Sequence, residues 1–143
     1  MLKVLLPVDG SESAVRATQE LIKTLAWYKE SPRIDLLAIH LPIHRFPNMS
    51  LVISDEMIKQ YNAKECEDML AASKKALDAS GVKYIVHMRV GTIAETIMEQ
   101  ASRSGSDMIY MGTRGMTALS NMVLGSVATR VLHLAHIPVV LIH

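Results

Sequence analysis

Met111-Gly112-Thr113-Arg114-Gly115 and, after nine further residues, Gly125-Ser126 decide how this chain is read. The apolar run Asp107-Met-Ile-Tyr-Met111 leads into it and has the composition of a buried parallel strand. Behind it, Val127, Val131 and Leu134 recur at helical spacing. Glycines at a strand exit and again at a helix entrance let backbone N–H groups approach an anion with no Cβ in the way, and the helix dipole favours the negative charge. Taken singly, each glycine reads as a tight turn or a helix boundary. Their joint spacing after a strand reads as a cradle for nucleotide phosphates that needs no lysine.

Working outward, Leu2 to Val8 is apolar nearly throughout and suits a central strand, with Pro7 placed at its last residues, where a missing ladder donor is tolerated. Asp9-Gly10-Ser11 makes a turn, and Ser11 is positioned to cap a helix running from Glu12 to about Tyr28. A second strand spans Arg33 to His40. The segment from Leu41 to Asp55, broken by Pro42 and Pro47, has no periodicity and is the longest irregular stretch. A long amphipathic helix from Glu56 to Ser80 stops at Gly81, and a third strand covers Val82 to Met88. Thr92-Ile-Ala-Glu95 has the form of a capping box for a helix that Gly105 ends. Strand five is Ile137 to Ile142. Strands and helices alternating in this way mean a parallel sheet with helices on both faces.

Composition narrows the function. A chain of 143 residues with 50% hydrophobic and 20% charged residues fits a single domain over residues 1–143. The net charge of +1 leaves no electrostatic footprint for nucleic acid or an anionic membrane. The lone Cys66, the short N-terminal apolar run and the lack of any stretch of membrane-spanning length point to a cytoplasmic protein. Six histidines include His133 and His136, three apart in the last turn of a helix, but no HExxH or Cys/His cluster exists, so no protein-built metal site is expected. There is no Gly-x-Ser-x-Gly elbow, Walker lysine or kinase signature. Binding is therefore better supported than turnover, and no catalytic residue is assigned. The ten methionines, Met116 and Met122 among them, read as gap-fillers.

The spacing Gly-x2-Gly-x9-Gly-Ser, with Leu5-Leu-Pro-Val-Asp-Gly-Ser11, Leu36-Leu-Ala-Ile-His40 and Ile137-Pro-Val-Val-Leu-Ile142, resembles the universal stress protein family of the ATP-binding type, over the whole chain. That resemblance implies an open five-stranded parallel sheet of Rossmann-like form in the order 3-2-1-4-5, which periodicity alone does not establish. It implies a site in the crevice where the winding reverses, between the ends of strands one and four. Carried over residue by residue, the base-side positions are Pro7, Val8, Asp9 and Leu41. Met111, Gly112, Arg114 and Gly115 follow strand four, and Gly125, Ser126 and Val127 form the phosphate-binding helix start. Asp9 has a second reading as a helix cap, and Arg114 as a solvated loop charge. Ala128 departs from members with a polar residue there. The cofactor implied is ATP, with magnesium arriving on its phosphates. The implied function is that of a regulatory ATP-binding protein of the stress response, in which occupancy orders the 113–124 loop. The alternatives are a dimeric interaction module without nucleotide and a slow ATPase. The apolar edge Val139, Val140, Leu141 and Ile142 is expected to pair with a second copy in a homodimer.

Overall fold

The alternation of buried residues along the first strand sets the layers. In β1 (Lys3–Pro7), Val4 and Leu6 face one side of the sheet and Leu5 the other, and all three are shut off from solvent. A strand buried on both faces needs helices on both faces. The structure, a computed structural model, describes residues 1–44, 47, 53–115 and 124–143. The elements that follow are α1 (Glu12–Thr24), β2 (Arg33–His40), α2 (Asp55–Ser80), β3 (Tyr84–Val90), α3 (Ile93–Ser104), β4 (Met108–Gly112), α4 (Ser126–Leu134) and β5 (Val139–Ile142).

All pairings are parallel, in the order β3-β2-β1-β4-β5. Helices α1 and α2 cover one face, where Ala14, Leu21, Leu70 and Leu77 pack on Val4, Leu6, Ile34 and Leu36. Helices α3 and α4 cover the other, where Ala94, Ile97, Ala128 and Val131 pack on Leu5, Leu37, Ile109 and Met111. The chain thus winds outward from β1 to β3, crosses over, and winds outward again from β4 to β5. The reversal falls between β1 and β4.

Local chemistry explains most boundaries. The Ser11 hydroxyl accepts the Ala14 N–H at 3.1 Å and starts α1. The helix ends at Thr24, short of Tyr28, because the next residues tighten into a 3₁₀ turn (Leu25–Trp27) and Tyr28 is already extended. Gly81 and Gly105 end α2 and α3 in left-handed conformations, at φ 72° and 60°. The third strand lies two residues later than its composition suggests. Its partner sets it: Tyr84 to Val90 pair one for one with Ile34 to His40. The capping box expected at Thr92 and Glu95 does not form. Thr92 makes no side-chain cap, and the Glu95 carboxylate instead accepts from Arg130 Nε of α4 at 3.0 Å. Its own backbone amide, and then Arg130, hold the Glu95 carboxyl below its ordinary range. The box was thus displaced by a tie between α3 and α4.

Candidate functional site

Two neighbouring strands part company at the reversal. β1 stays in register with β2 through Pro7, opposite Leu37, and Val8 continues the ladder by donating to the Leu37 carbonyl at 2.8 Å. With β4, however, β1 pairs only at Val4 and Leu5. Since successive N–H groups point to opposite neighbours, the nitrogen of Pro7 faces the β4 side, where no ladder remains to need its hydrogen. The proline therefore sits where the strands splay, and the splay opens a crevice at their carboxyl ends.

The walls of that crevice come from the loops after β1, β2 and β4. Asp9 leaves β1 with Oδ1 accepting the Ser11 N–H at 2.9 Å, so the helix-capping turn is real. Its other oxygen lies 3.1 Å from where a Cβ on Gly115 would stand, so Asp9 also faces the loop after β4. Asp9 thus braces the turn before the cap, which is Ser11 itself, and stands beside the loop after β4. Leu41 follows β2 and is 57% exposed, an apolar surface left open beyond the carboxyl end of that strand. Behind it, the His40 ring meets Tyr61 of α2 edge-on at 5.6 Å. Met111 is different. Its side chain is buried against α3 and α4, leaving only its backbone to address a ligand.

The glycines divide into two kinds. Gly112 ends β4, and a Cβ there would fall 2.3 Å from Ser13 Oγ and 2.8 Å from the Ser13 carbonyl carbon and oxygen. Its smallness lets α1 abut the strand, a packing reason rather than an anion-binding one. Gly125 precedes α4, and its N–H donates to the Thr113 carbonyl at 2.6 Å. That amide is therefore spent on closing the loop and is not free for phosphate. Closing the loop places the start of α4 beside Arg114 and Gly115, since a Cβ on Gly125 would sit 3.4 Å from Arg114 Cα.

What remains to grip an anion is the first turn of α4. No side chain caps it, and the amides of Ser126, Val127 and Ala128 have no hydrogen-bond partner among the described residues. The first internal helix bond is made by Thr129, to the Gly125 carbonyl at 3.0 Å. Ser126 is exposed and Val127 half-buried at this end. Ala128, by contrast, is 2% exposed and packs in the core. Its side chain points away from the crevice, so the missing hydroxyl there removes no donor from the site. The structure thus brings Pro7, Val8, Asp9, Gly112, Arg114 and Gly115 to one crevice and sets Gly125, Ser126 and Val127 along its far wall. Met116, Met122 and the rest of 116–123 lie outside the described residues.

Sequence reasoning passed over Ser13, Thr113 and His143. Ser13 Oγ accepts the Arg114 N–H at 3.3 Å, and the Thr113 N–H donates to the Ile142 carbonyl at 3.1 Å. Thr113 Oγ1 and His143 Nδ1 lie 3.4 Å apart. A serine two residues after a strand-end Asp-Gly-Ser turn was a visible clue. The tie between residues 113 and 143 was not, because it depends on how β5 docks.

The universal stress protein family model matches residues 1–143. A universal stress protein of Methanocaldococcus jannaschii, MJ0531, is 32% identical over 141 residues, 98% of this chain and 81% of that protein. The solved structure of MJ0577, which is a universal stress protein of the same organism, superposes with a TM-score of 0.80 at 26% identity, covering 98% of this chain and 94% of that one. A family member from Arabidopsis thaliana, solved with AMP bound, shares the fold with a TM-score of 0.69 at 18% identity, covering 99% of this chain and 91% of that one.

Proposed function

This chain belongs to the universal stress protein family, and from that premise we propose that it is a regulatory protein of the stress response that binds ATP in the crevice between β1 and β4. The observation that carries the reading is the uncapped first turn of α4, whose amides at Ser126, Val127 and Ala128 face no internal partner among the described residues. Three such donors at a positive helix end suit phosphate oxygens. The Arg114 guanidinium adds permanent charge. Pro7, Val8, Asp9 and Leu41 lie at the other end of the crevice, where the base is placed in this reading. Met111, Gly112 and Gly115 contribute backbone.

Magnesium enters on the nucleotide, held by phosphates and water rather than by a protein cage. Among the described residues no group of three or more His, Cys, Asp or Glu is placed to hold a metal ion. Occupancy of the crevice orders the 113–124 loop, and it shifts that equilibrium only through differential affinity for the two loop states.

Calorimetry with ATP and magnesium tests the binding. Wild-type protein is expected to bind, and Gly125→Ala to lose about tenfold, since its Cβ would press to 3.0 Å on the carbonyl that holds the loop closed. A wild-type protein that releases no heat with ATP and carries no copurified nucleotide refutes the reading. Hydrogen exchange across 113–124, unchanged by Mg-ATP, removes the switching part alone.

The same proposal extends to assembly and location. The β5 edge, Val139 to Ile142, is half-buried and apolar, and pairing with the β5 of a second copy covers it. Val140→Lys is expected to move the protein toward monomer in sedimentation, and an unaltered dimer counts against this interface. Among the described residues no helix is long and apolar enough to cross a membrane. We place the protein in the cytoplasm, and its recovery in a membrane or secreted fraction would contradict that.

A further inference from the structure

The sheet has two outer strands, and their chemistry differs. β5 is four residues long and carries no charge. β3 is seven residues long and carries His87 and Arg89, with Lys83 just before it. From Ala79 to Ala94 the sequence has no Asp or Glu.

One bond fixes which backbone groups of β3 are open. The Gly91 N–H donates to the His40 carbonyl at 3.0 Å, so Gly91 faces β2. Alternation along the strand then turns Ile85, His87 and Arg89 toward β2, and the N–H and C=O of Tyr84, Val86, Met88 and Val90 point outward. These outward groups have no hydrogen-bond partner among the described residues. The strand has no proline, and its pairing with β2 runs one for one without a bulge. Large apolar side chains flank the open row: Ile85, Met88 and Val90 are 47%, 46% and 52% exposed.

Charge selects the occupant. Neither Lys83 nor Arg89 has a carboxylate within 4.0 Å among the described residues, and the stretches outside them contain no Asp or Glu. Arg89 Nε donates instead to Gln100 Oε1 at 3.0 Å, a neutral partner that fixes the side chain and leaves its charge uncancelled. His87 is tied inward, its Nε2 2.7 Å from the buried Asp35 carboxylate. An antiparallel second copy centred on His87 would set that ring against its twin and Arg89 diagonally across from Lys83. Such like-charge contacts disfavour self-pairing here, whereas uncharged β5 lacks them. A strand of opposite charge meets no such penalty, and it would cover the flanking apolar side chains.

We propose that β3 is a docking edge for an extended acidic segment of a partner protein, which adds as a sixth strand with carboxylates near Lys83 and Arg89 and apolar side chains over Met88 and Val90. β2 separates β3 from β1, so the docking does not depend on the nucleotide reading.

Amide hydrogen exchange of the whole protein, read by NMR, tests it. The probe is the blocked peptide Glu-Val-Thr-Val-Thr-Val-Glu, which reads the same in both directions, and the control has Lys at both ends. The Glu-ended peptide is expected to slow exchange at Tyr84, Val86, Met88 and Val90 and to leave Ile85, His87 and Arg89, already bonded to β2, nearly unchanged. Lys83→Glu, at an exposed side chain, is expected to weaken that peptide about fivefold and to turn the preference toward the Lys-ended one. Met88→Pro removes an outward donor that β2 does not use, and is expected to abolish the protection. Should that variant fail to fold, Lys83→Glu carries the test alone. The proposal is overturned if no alternating protection develops, if both peptides bind the wild type equally, or if Lys83→Glu keeps the wild-type preference. Protection of the same four amides that grows with protein concentration alone also overturns it, because a second copy then holds the edge.

Discussion

Replacing Gly112 with alanine puts a methyl group where α1 and β4 already touch. The new Cβ would lie 2.3 Å from Ser13 Oγ, which rotation of one side chain relieves, and 2.8 Å from the Ser13 carbonyl carbon and oxygen, which no rotation relieves. The start of α1 must therefore retreat by several tenths of an ångström, carrying the Ser11 cap and the Arg114 contact with it. Forcing a methyl into a packed site of this kind costs about 2–3 kcal/mol. For 143 residues, an unfolding entropy of about 0.3 kcal/mol/K converts that cost to a fall of about 7–10 °C in Tm. Gly81→Ala is the control. Gly81 sits at φ 72° with nothing within 4 Å of its would-be Cβ, so only backbone strain of about 1 kcal/mol, or roughly 3 °C, is expected. The double variant Gly112→Ala, Ser13→Ala removes the hydroxyl clash but leaves both backbone contacts, so little of the loss returns. Calorimetric melting of the three variants decides the matter. A Gly112→Ala protein melting within about 2 °C of the wild type would refute the packing argument.

Two further outcomes follow from other side chains. Ser11→Ala removes the acceptor for the Ala14 N–H and is expected to cost about 1 kcal/mol, read as a drop of roughly 3 °C in the same melt. Tyr84 is held neutral by burial and by donating to Asp78 at 2.7 Å, which push its pKa up to about 12. Because the folded value lies above the unfolded one near 10, this stabilisation is fully present below pH 10 and is lost as pH rises through 12. Urea melts at stepped pH should show Tyr84→Phe with a flatter loss of stability over that window. An identical slope in the two proteins would mean that Tyr84 titrates alike folded and unfolded.

Much of this architecture was legible because it rests on short-range rules. Burial on both faces of Leu2 to Val8, the Ser11 cap and the stops at Gly81 and Gly105 each follow from a few adjacent residues. The resemblance then supplied the strand order. What stayed hidden depends on partners distant in sequence. Glu95 left its capping box for Arg130, 35 residues away, and the span of β3 was set by β2 rather than by its own composition. The glycine loop shows both sides of this. Its position at the crevice was readable from spacing, yet the roles within it were not. Gly112 makes room for α1, Gly125 gives its N–H to Thr113, and the donors left for a ligand belong to residues 126–128.

Thr113 is stitched to three things at once: to Gly125 before α4, to Ile142 at the end of β5, and to the ring of His143. Anything fused behind His143, an affinity tag or a fluorescent reporter, therefore hangs from the same knot that shapes the loop after β4. Met1 lies at the other end of the parallel sheet and is exposed to solvent. Handles for purification or immobilisation belong there, and affinities measured on protein carrying them behind His143 would describe the handle as much as the protein.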